Sequence, residues 1–230
     1  MNQFARTELL YGKDAIEKLK NSKVAIFGLG GVGSYTTEAL ARIGIGELDL
    51  IDCDIVSLTN LNRQLIALHS TLDKAKVDVA KQRILDINPS AKVNTFQIFF
   101  SNETSSYFDF SKYDYVIDAI DSIKSKIEII KIAKEKNIKI ISSMGTGNKT
   151  NPFLFEIADI SKTSVCPLAR KMRIELKKLK IDKVKVLYSK ESPVKTNQNN
   201  NDKLIPASNS FIPPIAGLMI ASEVVKDLIS

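Results

Sequence analysis

Apolar positions change their spacing repeatedly along this chain, and the changes mark out its elements. TELLYGKDAIEKLK (7–20) carries apolar residues three and four apart, which predicts an N-terminal helix. KVAIFG (23–28) is instead a short continuous apolar run with β-branched members, the pattern of a strand buried on both faces. A helical pattern follows to about Ile43, Gly44 and Gly46 stop it, and ELDLID (47–52) reads as a second strand. The rhythm continues with a helix over about 72–87, capped by Asp73 and stopped at Asn88-Pro89, and a strand over about 92–98. YDYVIDAI (113–120) is a strand, a helix lies near 122–136, and IKIISSMG (138–145) is the next strand. Strands alternating with helices of this length predict a mostly parallel, doubly wound sheet with right-handed crossovers and helices on both faces.

After Gly147 the rhythm changes. FLFEIADIS reads as a strand, VCPLARKMRIELKKLK as a basic helix, and KVKVLYSKE as a further strand that can run antiparallel. The expected class is therefore α/β, Rossmann-like, with an antiparallel C-terminal extension. ESPVKTNQNNNDKLIPASNS (191–210) is polar, rich in asparagine and without a period, and is expected to form a mobile loop. One domain is expected over 1–230, with a nucleus of about 20–147 and an extension of about 148–230.

Composition narrows the picture in a few places. With 44% apolar and 26% charged residues in 230, the chain suits one sizeable globular domain better than two. The N-terminus MNQFARTELLYGKD lacks a secretory pattern. The longest apolar stretch, Ile212–Ile229, is interrupted by Pro213, Pro214, Glu223, Lys226 and Asp227, which argues for a core helix and against a membrane span. Two cysteines, Cys53 and Cys166, form no C-x-x-C pair, which excludes the usual cysteine-type zinc and points to a reduced, cytoplasmic setting. A net charge of +7 favours an anionic partner without naming it.

Between the first strand and its helix stand Gly28, Gly30 and Gly33 in G-x-G-x-x-G spacing, with Gly31 inside the motif. Glycines there permit the tight turn, the approach of backbone N–H groups to phosphate, and close helix–strand packing. The helix N-terminus adds partial positive charge and unpaired donors. Asp52 ends the second strand about 20 residues further on, where a carboxylate bonds a ribose hydroxyl. The following segment adds Asp54, Asn60, Arg63, Gln64 and Lys76, and DAIDS adds Asp118 and Asp121 at the end of a later strand. Ligands in such folds gather at the carboxyl ends of strands. Arg63 and Lys76 can neutralise a triphosphate there, and Asp121 can hold magnesium, a cation that prefers oxygen ligands. A nicotinamide cofactor needs neither, so the charges favour ATP with Mg2+.

The run GLGGVG…LIDCDIVSLTNLNRQ…KAKVD…DAIDS resembles the ubiquitin-activating-enzyme-like (HesA/MoeB/ThiF) superfamily, whose members adenylate a carboxylate with Mg-ATP. The resemblance implies that Asp52 binds the ribose, that Asn60, Arg63 and Lys76 contact phosphates, and that Asp121 binds magnesium with Asp54 close by. Arg6, in QFARTELLYG, matches a family arginine that reaches the partner subunit's triphosphate, which implies a homodimer with Arg6 acting in trans. Arg6, Arg63, Lys76 and Asp121 are thus the implied catalytic set.

Residues beyond this run separate the branches of the superfamily. Sulfur-carrier activators typically carry two C-x-x-C pairs, and this chain has none. IADISKTSVCPLARKMRIELKK is instead similar to the tRNA threonylcarbamoyladenosine dehydratase branch, as is the closing SFIPPIAGLMIASEVVKDLI. Cys166 departs from that branch by standing where an Asp usually precedes Pro-Leu. The branch implies ATP-dependent cyclising dehydration of N6-threonylcarbamoyladenosine beside the tRNA anticodon, through an acyl-adenylate. The alternatives are adenylation of a ubiquitin-like sulfur-carrier C-terminus and a nicotinamide-dependent oxidoreductase. Arg170, Lys171, Arg173, Lys177, Lys178, Lys180, Lys183 and Lys185 fit tRNA phosphate contacts or a solvated helix face. A sulfur-relay protein is a further candidate partner. Cys166 is expected to be semi-buried and structural, and His69 to pack or cap. No general base stands out.

Overall fold

In the computed structural model, which describes residues 2–196 and 206–230, the apolar runs pair as seven strands of one sheet. They are β1 (Lys23–Phe27), β2 (Glu47–Ile51), β3 (Lys92–Phe96), β4 (Tyr115–Asp118), β5 (Lys139–Ser143), β6 (Phe155–Asp159) and β7 (Lys185–Ser189). The order across the sheet is β3-β2-β1-β4-β5-β7-β6, with every neighbouring pair parallel except β6 and β7. The helices are α1 (Ala5–Tyr11), α2 (Lys13–Asn21), α3 (Gly33–Ile43), α4 (Lys76–Ile87), α5 (Ile123–Glu135), α6 (Pro167–Lys178) and α7 (Ile212–Ile229). The α/β class and the mostly parallel sheet are as the periodicity predicts. Part of the expected 191–210 loop, residues 197–205, lies outside the described residues.

Three local expectations are corrected. The N-terminal helix is two helices, because Gly12 takes φ +85 and turns its N–H onto the Glu8 carbonyl, ending α1. Asp73 does not cap α4. It sits at φ +61 in a turn, and Val56 pairs with Asp73 and Lys74 through backbone bonds that keep this stretch out of the helix until Lys76. The antiparallel strand is β6, whereas the KVKVLYSKE strand, β7, runs parallel to β5. The reason is the course of α6. It starts near Gly145, at the carboxyl end of β5, and the chain enters β7 at the opposite edge, where Lys134 of α5 bonds the Lys183 carbonyl. A helix descending the sheet delivers its next strand parallel.

Each face of the sheet carries its own apolar core. On one face Leu19, Leu40, Ile84, Ile220 and Val224 of α2, α3, α4 and α7 close over Ile26, Leu50 and Ile117. On the other, Ile129, Ile130, Met172 and Leu176 of α5 and α6 join Phe27 and Val116, with Phe100, Phe108 and Phe110 packed around Phe27 at centroid separations of 4.8–5.7 Å. The long apolar segment of α7 is core: a Cβ on Gly217 would lie 2.4 Å from the Val32 carbonyl, so α7 and α3 meet almost backbone to backbone. Among the described residues no helix is long and apolar enough to cross a membrane.

At the amino edge of the sheet, Lys185 ties β7 to the end of α7 through Glu223 at 2.7 Å and Asp227 at 2.6 Å, and Tyr115 donates to Asp227 at 2.7 Å. Burial alone would raise the Asp227 carboxyl, but the Lys185 and Tyr115 bonds outweigh it and hold the group below its ordinary 3.8. Burial would lower Lys185, and its two carboxylate partners outweigh that and raise it above 10.5. A depressed acid contributes stability above its unfolded value and loses it as pH falls through the folded one; a raised base loses its share as pH rises past 10.5. The stability difference between wild type and Asp227→Asn should therefore be flat across neutral pH, shrinking below about pH 4 and at strongly alkaline pH. Thermal melts across that range check this, and a difference that peaks near pH 4 would contradict it.

Candidate active site

β1 is flanked by β2 on one side and β4 on the other, because the chain winds out through β3 before returning to β4. That reversal opens a cleft of about 860 Å3 at the carboxyl ends of the strands. The glycine turn forms its floor. Gly28 takes φ +93 with its Cβ direction 2.8 Å from the Ala119 carbonyl, and a Cβ on Gly33 would stand 1.8 Å from the Gly28 carbonyl. No side chain fits at either position, so α3 begins pressed against the end of β1. Gly30 meets only the Gln64 amide at 3.9 Å and faces the cleft, whereas Gly31 lies against Pro213 of α7. Ser34 donates to the Gly30 carbonyl at 2.7 Å and accepts from Leu65 N–H at 3.2 Å, lacing the turn to the 60s loop.

Asp52 emerges from β2 and is locked in place: Oδ2 accepts from Leu29 N–H at 2.6 Å and Oδ1 from Asp54 N–H at 2.9 Å. Burial pushes its carboxyl up, opposed by the Lys76 charge and the two N–H bonds. Lys76 is buried at the first position of α4, with Nζ 2.8 Å from Asp54 and 4.0 Å from Asp52. Burial pushes the Asp54 carboxyl up, but the Lys76 bond and charge with the Cys53 bond together outweigh it and hold that acid below its usual range. Cys53, between the two acids, is exposed and its thiol is pushed up by burial of the sulfur and by Asp54. It is therefore no thiolate nucleophile at neutral pH.

The remaining expected residues divide. Asn60 is buried and accepts from Ser57 N–H at 3.1 Å, so it shapes the loop while lining the cleft. Arg63 lines the cleft, with Nη1 donating to the Thr59 carbonyl at 2.8 Å and to Asn62 at 2.9 Å. Gln64 is 6% exposed, and its Oε1 has no hydrogen-bond partner among the described residues. A buried carbonyl oxygen left open beside Gly30 is what a ligand donor would satisfy. Asp121 is exposed at the rim of the same cleft. Arg6 is not brought to the cleft of its own chain: it is exposed on α1, a helix with no buried residue. His69 is exposed in a short turn away from the cleft.

Asp118, grouped with Asp121 in the sequence, belongs elsewhere. It is fully buried, bonded to Lys126 Nζ at 3.0 Å and to Ser142 Oγ at 2.5 Å. Lys126 is itself fully buried and also donates to the Ile120 carbonyl at 3.0 Å. The signal was legible: Lys126 shares helical spacing with Ile129, Ile130 and Ala133, so a lysine stands in an apolar stripe. The basic run also thins out. Lys185 is committed to α7, Arg173 bonds Thr163, and Lys178 pairs with Glu175 at 2.7 Å, while Arg170, Lys171, Lys177, Lys180 and Lys183 stay exposed. The opposite wall of the cleft, missed by sequence reasoning, runs from Ser143 to Lys149 and includes Cys166 to Leu168. Cys166 is 2% exposed, more deeply buried than expected, because it precedes the first turn of α6 under the β5 end.

An ATP-sized cleft with a glycine floor, a strand-end acid and a buried lysine is thus assembled, and known proteins match it over the whole length. The chain is 47% identical to the tRNA threonylcarbamoyladenosine dehydratase of Bacillus subtilis (strain 168), covering 100% of this chain and 95% of that protein. It is 38% identical to the dehydratase of the same name from Escherichia coli (strain K12), over 76% of this chain and 65% of that protein. The crystal structure of E. coli tRNA N6-threonylcarbamoyladenosine dehydratase in complex with ATP superposes with a TM-score of 0.91 at 32% identity, covering 99% of this chain and 93% of that one. The same enzyme in complex with AMP gives the same TM-score. The sequence pattern of the ThiF family extends over residues 3–230, and with this agreement of pattern, fold and relatives the chain belongs to the ThiF family.

Proposed function

We propose that this protein is an ATP-dependent dehydratase that closes the side chain of N6-threonylcarbamoyladenosine into a ring, beside the anticodon of tRNA. The observation that carries this is the full-length likeness to dehydratases of that name, one of which has been solved with ATP and with AMP. An oxygen of the threonyl carboxylate attacks the α-phosphorus of ATP, an O–P bond forms, and pyrophosphate leaves with the electrons of the broken P–O bond. The ureido group of the same side chain then attacks the activated carbonyl and loses its proton. AMP departs with the carboxylate oxygen, so the substrate is lighter by one water. Such chemistry needs charge stabilisation and alignment more than a protein nucleophile.

The residues divide the work accordingly. Asp52, held by Leu29 and Asp54 N–H groups, is placed to accept from a ribose hydroxyl. Gly30 leaves room for a phosphate against the α3 N-terminus. Lys76 and Arg63 offer cations; Arg63 Nη1 is held by the Thr59 carbonyl and Asn62, which leaves its Nε and Nη2 donors for a phosphate. Magnesium fits Asp121, an exposed oxygen donor at the rim, and would neutralise phosphate charge there. Asp121→Asn is expected to raise the magnesium needed for half-maximal pyrophosphate release by about 10- to 100-fold. An unchanged magnesium dependence would remove Asp121 from the site.

Arg6 acts in trans within a homodimer on this reading, supported by its absence from its own cleft and by the exposure of Leu9 and Leu10 on the same helix. The setting is cytoplasmic, where tRNA is modified and free Cys53 and Cys166 stay reduced. The exposed cations of α6 meet tRNA phosphates. Neutralising Lys177, Lys178 and Lys180 to glutamine should weaken tRNA binding and flatten its log–log salt dependence by about 0.7–0.9 for each residue that touches a phosphate. Identical salt curves would take α6 out of the tRNA surface. The reading as a whole is tested by mass spectrometry of nucleosides from tRNA treated with enzyme and Mg-ATP. Loss of one water from the threonylcarbamoyl nucleoside is expected; ATP consumption with unchanged nucleosides would turn attention to a protein C-terminus.

A further inference from the structure

The far wall of the cleft holds a cation that none of the nucleotide roles uses. Lys149 is 4% exposed, yet it lines the cleft. Its Nζ donates to the Glu191 backbone carbonyl, and no carboxylate of the described residues forms an ion pair with it. The Glu191 carboxylate is occupied instead by Thr150 N–H and Oγ1 and by Asn151 N–H, at 2.9–3.1 Å. Burial pulls the Lys149 ammonium down, with Cys166 and Glu191 opposing. A buried ammonium left with one neutral acceptor is costly, and such charges are normally paired.

Beside Lys149 lies a second positive feature. The 12-residue α6 begins at the cleft, its N-cap Cys166 makes no side-chain capping bond, and Pro167 and Leu168 line the same wall. The first-turn N–H groups of α6 therefore add partial positive charge without a side-chain cap among the described residues. Sheet order puts this wall beyond β5, while the glycine turn, Asp52 and Lys76 lie at β1 and β2, with β4 between. One cleft thus has two cationic ends, on opposite sides of β4. In-line attack on an α-phosphorus needs its entering and leaving groups on opposite sides. If the triphosphate occupies the Lys76 end, the attacking carboxylate enters from the Lys149 end.

We propose that Lys149, with the N-terminus of α6, forms a carboxylate subsite that receives the threonyl carboxylate of the substrate and presents it to the nucleotide. The subsite rests on the adenylation reading given above. It makes Lys149 the residue that distinguishes a modified tRNA from one bearing plain adenosine, because only the former carries the anion. Lys149 forms and breaks no covalent bond.

The test is a binding cycle on the full-length protein, loaded with a non-hydrolysable ATP analogue. Two anticodon stem-loops are compared, one with N6-threonylcarbamoyladenosine and one with its threonyl carboxylate converted to the carboxamide. Wild type is expected to prefer the carboxylate by about 10- to 100-fold, the range of a hydrogen bond to a charged group. In Lys149→Met, and in Lys149→Gln, which keeps a donor but drops the charge, that preference should vanish while affinity for the nucleotide analogue stays within about twofold. Equal binding of both stem-loops by wild type overturns the subsite without needing any variant to fold. A preference that survives in either variant, or a variant whose defect is in nucleotide binding, also overturns it. Failure of the dehydratase reading looks different: wild type with ATP would then leave the threonylcarbamoyl stem-loop chemically unchanged.

Discussion

Lys76→Met is expected to leave a folded protein whose kcat/KM for ATP-driven turnover is lower by about 10²- to 10³-fold, the cost of removing one preorganised charge from a water-poor site. The physical argument starts from burial. The Lys76 side chain is 5% exposed at the start of α4 and faces Asp54 at 2.8 Å and Asp52 at 4.0 Å. With two acids close by and a triphosphate as proposed occupant, it is the cation that keeps the β2 end from repelling an anion. Methionine preserves the stem and its packing, so the change isolates charge. Without it, burial acts on Asp52 unopposed by its strongest counterweight, and the carboxyl moves further up. Nucleotide affinity should fall together with turnover. Stability should change little, since the direct partner Asp54 is 61% exposed and such pairs contribute about 0–1 kcal/mol. Calorimetric ATP titration and pyrophosphate release measure the two effects. Turnover within tenfold of wild type would take Lys76 out of the phosphate site.

Lys126→Met should act in the opposite way, on stability first. The Lys126–Asp118 pair is fully buried, with Lys126 Nζ against both Asp118 oxygens and Ser142 Oγ donating to one of them. Removing one partner of a desolvated pair strands the other, a cost of about 3–5 kcal/mol. For a chain of this size that corresponds to a fall in melting temperature of about 10 °C. Lys126→Met with Asp118→Asn removes both charges and should recover much of the loss, because two neutral groups carry no Born penalty. Denaturant unfolding of the three proteins reads the coupling directly. A single variant that melts within about 2 °C of wild type would contradict the account. By comparison, loss of the exposed Lys178–Glu175 pair should be close to silent. Lys126 also anchors the Ile120 carbonyl, so the damage reaches the turn that carries Asp121.

These two lysines mark how far the site could be read from sequence. Lys76 was legible because it follows Asp52, Asp54, Asn60 and Arg63 in an ordered run, and a run of local order survives folding. Lys126 carries a fainter mark, a single lysine in an apolar helical stripe with Ile129, Ile130 and Ala133, and its partner Asp118 is not adjacent in sequence. Asp118 and Asp121 look equivalent in the sequence because only two residues separate them. At a strand end, however, one side chain turns into the core and the other to the cleft, and their exposures differ completely. Asp73 has the side chain of a helix cap, but backbone pairing with Val56 holds that segment outside α4.

What the sequence determined by itself is whatever depends on short-range pattern: the alternation of strand and helix, the buried parallel sheet, the glycine turn after β1 and the acid ending β2. Hydrophobic period and side-chain sterics act over a few residues, so they are written into neighbouring letters. The tertiary structure alone decided which distant groups meet. It inserted β7 between β5 and β6 and brought α6 to the cleft. It also buried Lys149 opposite the nucleotide turn. Those outcomes depend on where long crossovers return the chain, and on which charges lose their water when they arrive, and neither quantity is carried by local spacing.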